Sequence, residues 1–177
     1  MKRLVTMTIN ERTRDVAIAP HHTLLEVLRD ELGLRGAVEG CGVGVCGSCT
    51  VLIDDRPVSS CLMLATNAEG RTITTIEGVS RDGEFSPVQR AFLEQQAFQC
   101  GFCTPGMIMA VEGLLRANSK PGEAEIRDYL SGNLCRCGTY SAVIAAVRSV
   151  VAHRQPPATR DAASVGEPGL TATSSDQ

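Results

Sequence analysis

The chain has 177 residues, 43% of them apolar and only 3% aromatic, with a formal net charge of -3 from 17 basic and 20 acidic side chains. Neither sign of charge forms a long block, which excludes the electropositive stripe of a nucleic-acid binder. No apolar run approaches the roughly 18 to 20 residues that span a bilayer. The first residues, MKRLVTMTINERTR, hold no apolar stretch of signal-peptide length, so the protein reads as soluble and cytoplasmic. Eight cysteines are the anomaly. In a reducing compartment they point first to metal ligation, with four disulfides as the alternative that spacing has to decide.

Leu4 to Ile9 and Thr13 to Ala19 are β-branched segments separated by Asn10-Glu11-Arg12, the pattern of a hairpin. Pro20-His21-His22 breaks it. Thr23 then caps a helix and Glu26 completes a capping box. Leu24, Leu25, Val27, Leu28 and Leu32 form its apolar face, and Gly33 stops it. Periodicity vanishes from Arg35 to Ser48, where Gly36, Gly40, Gly42, Gly44 and Gly47 punctuate the chain. Strands are expected at Thr50 to Ile53, at Val58 to Ala65 with Cys61 among apolar neighbours, and at Arg71 to Ile76, with a turn at Asp54-Asp55-Arg56-Pro57. These make a small mixed sheet against one helix, ending near Gly78.

The second half is helical. Ser86-Pro87 is an N-cap followed by proline and opens a helix to about Phe98; Thr104-Pro105 repeats the device for a helix to about Asn118. Glu123 to Leu130 and Thr139 to His153 supply two more. The fold class is therefore α+β, a sheet domain over 1-78 followed by a four-helix domain over 79-155. Residues 156-177 are rich in Pro, Gly, Ser, Thr and Ala and offer no face to bury, so they read as a flexible tail.

The cysteines fall into two sets. Cys41-Gly-Val-Gly-Val-Cys46-Gly-Ser-Cys49 has the spacing C-x4-C-x2-C, with Cys61 after eleven intervening residues, the plant-type pattern for a [2Fe-2S] cluster. Three thiolates converging on a small inorganic core need a backbone that curls, and the interleaved glycines permit it. Their bare amides can donate to sulfur. Zinc on four cysteines is the alternative metal, but its sites favour two C-x2-C pairs over one pair in a glycine-rich loop. The second set, Cys100-Gly-Phe-Cys103 and Cys135-Arg-Cys137, places one pair at each of two helix starts, where the helix dipole and free amides favour thiolate. A thioredoxin-like redox pair lacks its βαβ frame here. By spacing alone, zinc stays open for this second set.

Three strings, Glu39-Gly-Cys-Gly-Val-Gly-Val-Cys-Gly-Ser-Cys-Thr-Val51, Gln99-Cys-Gly-Phe-Cys-Thr-Pro-Gly106 and Gly132-Asn-Leu-Cys-Arg-Cys-Gly-Thr-Tyr140, resemble the iron–sulfur subunit of the xanthine oxidase family of molybdenum hydroxylases. The resemblance covers about residues 3 to 153. It implies a plant-ferredoxin-like β-grasp domain with one [2Fe-2S] cluster on Cys41, Cys46, Cys49 and Cys61, and an all-helical domain with a second on Cys100, Cys103, Cys135 and Cys137. It also implies that Gln99 hydrogen-bonds the molybdopterin cofactor of a large catalytic subunit, and that Cys137 is the ligand nearest that cofactor. The order Gly138-Thr139 is similar to the isoquinoline 1-oxidoreductase and aldehyde dehydrogenase branch. Members of that branch often have no flavin subunit; they pass electrons to a cytochrome or another carrier.

The histidines offer no catalytic base in a pocket, since His21 and His22 flank a loop and His153 ends the last helix. The implied role is electron transfer, one electron at a time, from a partner that oxidises an aldehyde or an N-heterocycle.

Overall fold

The computed structural model describes residues 1–154; the segment 156–177, expected from its composition to be a flexible tail, lies outside the described residues. Strands β1 (Arg3–Ile9) and β2 (Arg12–Ile18) form an antiparallel hairpin in which Arg3 faces Ile18 and Ile9 faces Arg12. Its turn residues, Asn10 and Glu11, both have left-handed φ values of 48° and 65°, the backbone of a type I′ turn, whose twist matches that of the strands. The same device recurs at Asp54 and Asp55, with φ of 48° and 66°, between β3 (Thr50–Ile53) and β4 (Arg56–Ser59). With β5 (Thr72–Thr74) the strands form one mixed sheet in the order β2-β1-β5-β3-β4, β5 running parallel to β1 and antiparallel to β3. Strand alternation sends Val5, Met7 and Ile9 of β1 and Val16 and Ile18 of β2 to the buried face.

Helix α1 (Leu24–Glu26) opens as expected. Thr23 Oγ1 accepts from the Glu26 N–H at 3.2 Å and the Glu26 carboxylate accepts from the Thr23 N–H at 2.7 Å. It does not continue as a regular helix to Leu32. After one turn it widens into a π-helical segment, Val27–Glu31, closed by the Leu32 N–H donating to the Val27 carbonyl at 3.1 Å. The wider turn keeps Leu24, Leu25, Val27 and Leu28 all buried, a packing demand that outweighs the regular ladder.

The strand expected over Val58 to Ala65 stops at Ser59. Leu62 N–H turns back to the Ser59 carbonyl at 3.1 Å, and the carbonyls of Ser60 and Met63 accept from Leu25 and Leu24 N–H at 3.1 and 2.7 Å. This segment satisfies the free amides of a helix start instead of a sheet edge, and Cys61 consequently sits in a turn.

In the second domain α2 (Pro87–Glu94), α3 (Thr104–Ala117), α4 (Glu123–Tyr129) and α5 (Tyr140–Arg154) close around Val88, Phe92, Met107, Val111, Leu114, Ile126, Val143 and Val147. Ser86 caps α2 as expected, and Gln89 completes a capping box with it. Helix α2 ends at Glu94, short of Phe98. Gln96 adopts φ of 50°, and the N–H groups of Gln96 and Ala97 return to Leu93 and Phe92 carbonyls at 3.1 and 2.9 Å, the closure of a Schellman motif with glutamine in the glycine position. Thr104 is not the cap of α3. Cys103 holds the N-cap position and Thr104 is already helical, its hydroxyl buried without a hydrogen-bond partner.

The domains meet along α3. Strand β3 is buried on both faces: Val51 and Ile53 join the core beneath α1, while Leu52 packs with Met109 and Val79. Gly106 and Gly113, two turns apart, let the helix axis come close. A Cβ on Gly106 would lie 2.3 Å from the Gly47 carbonyl oxygen, and one on Gly113 would lie 3.1 Å from Leu52 Cδ2. Asp55 of the second turn pairs with Arg116 at the far end of the helix. The connecting segment is pinned too, Asn10 exchanging two 2.9 Å hydrogen bonds with Thr75 and Glu77 accepting from the Gly36 N–H at 2.7 Å.

Two outcomes are expected. Gly106→Ala gains helix propensity yet places a methyl group on backbone atoms of the other domain, so thermal denaturation should show destabilisation of about 1–3 kcal/mol. Asp54 accepts from the Arg71 guanidinium and the Thr72 N–H, which hold its carboxyl below the usual carboxylate range. A depressed folded-state value contributes stability above the ordinary carboxylate pKa that is lost as pH falls through the folded value. The stability gap between wild type and Asp54→Asn should therefore close in acid; a gap constant from neutral pH to strong acid would contradict the assignment.

Candidate metal centres

The loop carrying Cys41, Cys46 and Cys49 curls on itself. Val43, Val45 and Cys46 N–H groups point at Cys41 Sγ from 3.5, 3.3 and 3.4 Å. Those amides draw the Cys41 thiol down to about 7, Val43 contributing most, and the Cys46 side chain lies within hydrogen-bonding reach of it. Gly47 has φ of 68°, and a Cβ there would lie 2.4 Å from the Gly132 carbonyl oxygen; only glycine meets both demands. Cys49 is buried immediately before β3 and meets Cys61, whose thiol is pushed up to about 11 by burial and then by Cys49.

The second set comes together from two helix starts. Cys100 is exposed, Cys103 caps α3, and Cys135 and Cys137 precede α5. Cys100 reaches Cys137, and its thiol is lowered by the Phe102 N–H and then by Cys137. Cys103 reaches Cys135 and is pushed up to about 12 by burial. Burial also acts against the Cys135 thiolate, yet Thr139, through its hydroxyl 3.2 Å from Sγ and its N–H, helps bring Cys135 to about 7. The Cys135 N–H itself donates to the Tyr140 hydroxyl at 2.8 Å.

Within each set the thiols lie close enough to act on one another, most directly 41 with 46, 49 with 61, 100 with 137 and 103 with 135, and by charge also 41 with 61, 100 with 135 and 100 with 103. Among the described residues no group of three or more His, Cys, Asp or Glu side chains is placed to hold a single metal ion. Two thiolates to each iron is what a two-iron core takes from four cysteines, so the donor sets fit such a core at both places. The unpartnered Thr104 hydroxyl beside Cys103 and the bare Gly40, where a Cβ would lie 2.9 Å from Cys46 Sγ, belong to the same surroundings. The two sets are joined across the domain boundary: the Leu134 N–H donates to the Cys46 carbonyl at 2.9 Å, and the Asn133 amide donates to the Gly47 carbonyl at 3.0 Å and the Thr50 hydroxyl at 3.2 Å.

Residues 7–74 match the 2Fe-2S iron-sulfur cluster binding domain and residues 75–148 the [2Fe-2S] binding domain. The small FeS subunit of nicotinate dehydrogenase from Eubacterium barkeri is 45% identical over 85% of this chain and 96% of its own length. The small subunit of nicotine 6-hydroxylase from Paenarthrobacter nicotinovorans is 46% identical over 81% of this chain and 86% of its own length. Among solved structures, quinoline 2-oxidoreductase from Pseudomonas putida 86 superposes with a TM-score of 0.82 at 42% identity, covering 86% of this chain and 94% of that one. The chain belongs to the iron–sulfur subunits of the xanthine oxidase family of molybdenum hydroxylases. The β-grasp sheet and the helical bundle are that family's two [2Fe-2S]-binding domains in order.

In this iron–sulfur subunit Gln99 is exposed beside Cys100. The histidines stay apart from the thiols in their bonding: His21 and His22 rings meet edge to face at 5.0 Å, and His153 Nδ1 meets the Ser149 carbonyl at 2.7 Å. No described helix is long and apolar enough to cross a membrane. Sequence reasoning assigned no role to Asn133, Thr139 or Gly106, although each stands inside a cysteine motif; a polar side chain, or none at all, beside the motif cysteines was the available signal.

Hydrogen bonds to cluster sulfur raise the reduction potential by stabilising the added negative charge. Thr139→Val should therefore lower the potential of the helical-domain centre while Thr139→Ser retains it, as read by a redox titration followed by electron paramagnetic resonance. An unchanged potential in Thr139→Val would show that the hydroxyl does not face the ligand sulfur.

Proposed function

We propose that Cys41, Cys46, Cys49 and Cys61 hold one [2Fe-2S] cluster and that Cys100, Cys103, Cys135 and Cys137 hold the other, the chain carrying electrons out of a large molybdopterin-binding subunit. The observation that carries this reading is the pairing of all eight thiols on two domains whose ligand loops are hydrogen-bonded to each other. A bound Fe2S2 core supplies one-electron chemistry by alternating between two oxidation states. This chain's own residues hold, orient and shield. Thiols at helix starts sit where dipole and amides offset negative charge, and the amides of Val43, Val45 and Cys46 do the same for the glycine loop.

Gln99, with its free carboxamide, and Cys137 are proposed to face the molybdopterin of the partner, which owns the substrate site. The relatives' names specify nicotinate, nicotine and quinoline, all of them N-heteroaromatic, and an N-heterocycle is accordingly the substrate class proposed here over an aldehyde. Onward transfer is proposed from the β-grasp side. Its rim of Val43, Val45 and Leu62 is apolar and exposed, and would face either a flavin subunit or a cytochrome-type carrier. The Gly138-Thr139 order supports the flavin-free branch.

Cys137→Ser in the purified complex should damage the helical-domain centre, leave the paramagnetic signal of the first, and uncouple substrate oxidation from the external acceptor. An intact pair of signals would refute the ligand assignment.

A further inference from the structure

The boundary between the two ligand loops depends on one buried carboxamide. Asn133 is only 7% exposed. The Gly47 carbonyl can only accept, so the amide nitrogen of Asn133 faces it, at 3.0 Å, and the same nitrogen reaches Thr50 Oγ1 at 3.2 Å. The Thr50 hydroxyl in turn donates to Gly47 O at 2.6 Å, and the Thr50 N–H points at that oxygen from 3.1 Å. Asn133's own N–H returns to the Leu130 carbonyl at 2.9 Å, closing the 3-10 turn Leu130–Gly132. Asn133 therefore ties the end of the α4 turn to the glycine loop, and truncating it would leave the buried Gly47 carbonyl and Thr50 hydroxyl each with one partner fewer.

The next residue makes the connection consequential. The Leu134 N–H donates to the Cys46 carbonyl at 2.9 Å, and Leu134 precedes Cys135 directly. A path of covalent bonds interrupted by this single hydrogen bond runs from Cys46 Sγ to Cys135 Sγ. The Leu134 side chain is 47% exposed and belongs to no buried core cluster that would hold that N–H in place. The anchor is Asn133, one residue upstream.

We infer that Asn133 is a positioning residue for electron passage between the two centres, acting through the Leu134–Cys46 hydrogen bond; this rests on the ligand assignment proposed above. In the step concerned one electron crosses, the helical-domain centre being oxidised by one and the β-grasp centre reduced by one. No bond is made or broken, and no proton moves. Asn133 touches neither set of thiols in its hydrogen bonding, so its effect falls on the distance and coupling between the centres rather than on their chemistry.

The test uses the complex with its large subunit and paramagnetic resonance, with full dithionite reduction to read the splitting and a sub-stoichiometric amount with freeze-quenching to follow equilibration. Asn133→Ala should keep iron, sulfide, both signals and both potentials, while weakening the spin–spin splitting between the centres and slowing equilibration between them roughly tenfold or more. Asn133→Asp keeps the size but donates nothing as a carboxylate, and should show the same loss. Thr50→Val should give a partial loss and Thr50→Ser restore the wild-type behaviour. Unaltered splitting and rate in a fully loaded Asn133→Ala complex would overturn the inference and leave the proposed function standing. Lack of iron or of both signals in the wild-type complex would overturn the proposed function itself. If Asn133→Ala does not load, Thr50→Val decides, and wild-type splitting in that variant counts against the inference.

Discussion

The Gly47 carbonyl is where the molecule is most tightly constrained. It lies between two cysteines of the first set, and the backbone of the second domain closes on its residue from two directions: Gly106 of α3 on one side, Gly132 and Asn133 on the other. Neither Gly47 nor Gly106 tolerates a side chain, since each hypothetical Cβ meets backbone atoms well inside contact distance. Apolar burial of Leu52, Val79 and Met109 draws the domains together, but burial is non-directional and would accept a range of dockings. The backbone contacts at Gly47 select one. The proposed electron path follows from that choice, because the cysteines of both sets stand within a few residues of each contacting glycine.

The electrostatics of the two sites share a logic despite their different architectures. Each set combines a thiol drawn down by hydrogen bonds with one that desolvation pushes up: Cys41 against the buried Cys61, and Cys135 against the half-buried Cys103. In the sheet domain the stabilising donors are successive amides of a glycine loop. In the helical domain they are helix-start groups, the Phe102 N–H for Cys100 and Thr139 for Cys135. Two unrelated backbone solutions supply donors that would offset the negative charge of a bound core.

Much of this was legible in the residues. Cysteine spacing separated the two sets, and glycine interleaving distinguished a curled loop from a zinc knuckle. The capping box of Thr23 and the Ser86-Pro87 cap located helix starts, because those signals are local and rest on groups within four residues. What escaped was decided by partners far away in sequence. The π-helical segment answers to the burial of four apolar residues under the sheet. Val58 to Ala65 reads as a strand until α1 claims the carbonyls of Ser60 and Met63. Helix α2 ends on a left-handed glutamine, Gln96, at a position where sequence reasoning looks for glycine. Thr104 resembles a cap in isolation, yet the cysteine before it takes that position. Asn133 looks like one more polar loop residue; its importance lies in Gly47 and Thr50, more than eighty residues earlier.

Where the two cysteine loops meet, the contacts are backbone atoms and one carboxamide, whereas the rim of the first site, with Val43, Val45, Leu62 and Leu64, consists of exposed side chains. Inheritance can act on these two layers independently. Exchange of Val43 or Val45 to suit a different acceptor would change an exposed surface, whereas Leu62 also lies against Gly44. A chain organised in this way behaves as an adaptable connector with a fixed internal gauge, free to be recruited to new oxidation partners while its transmission distance stays constant.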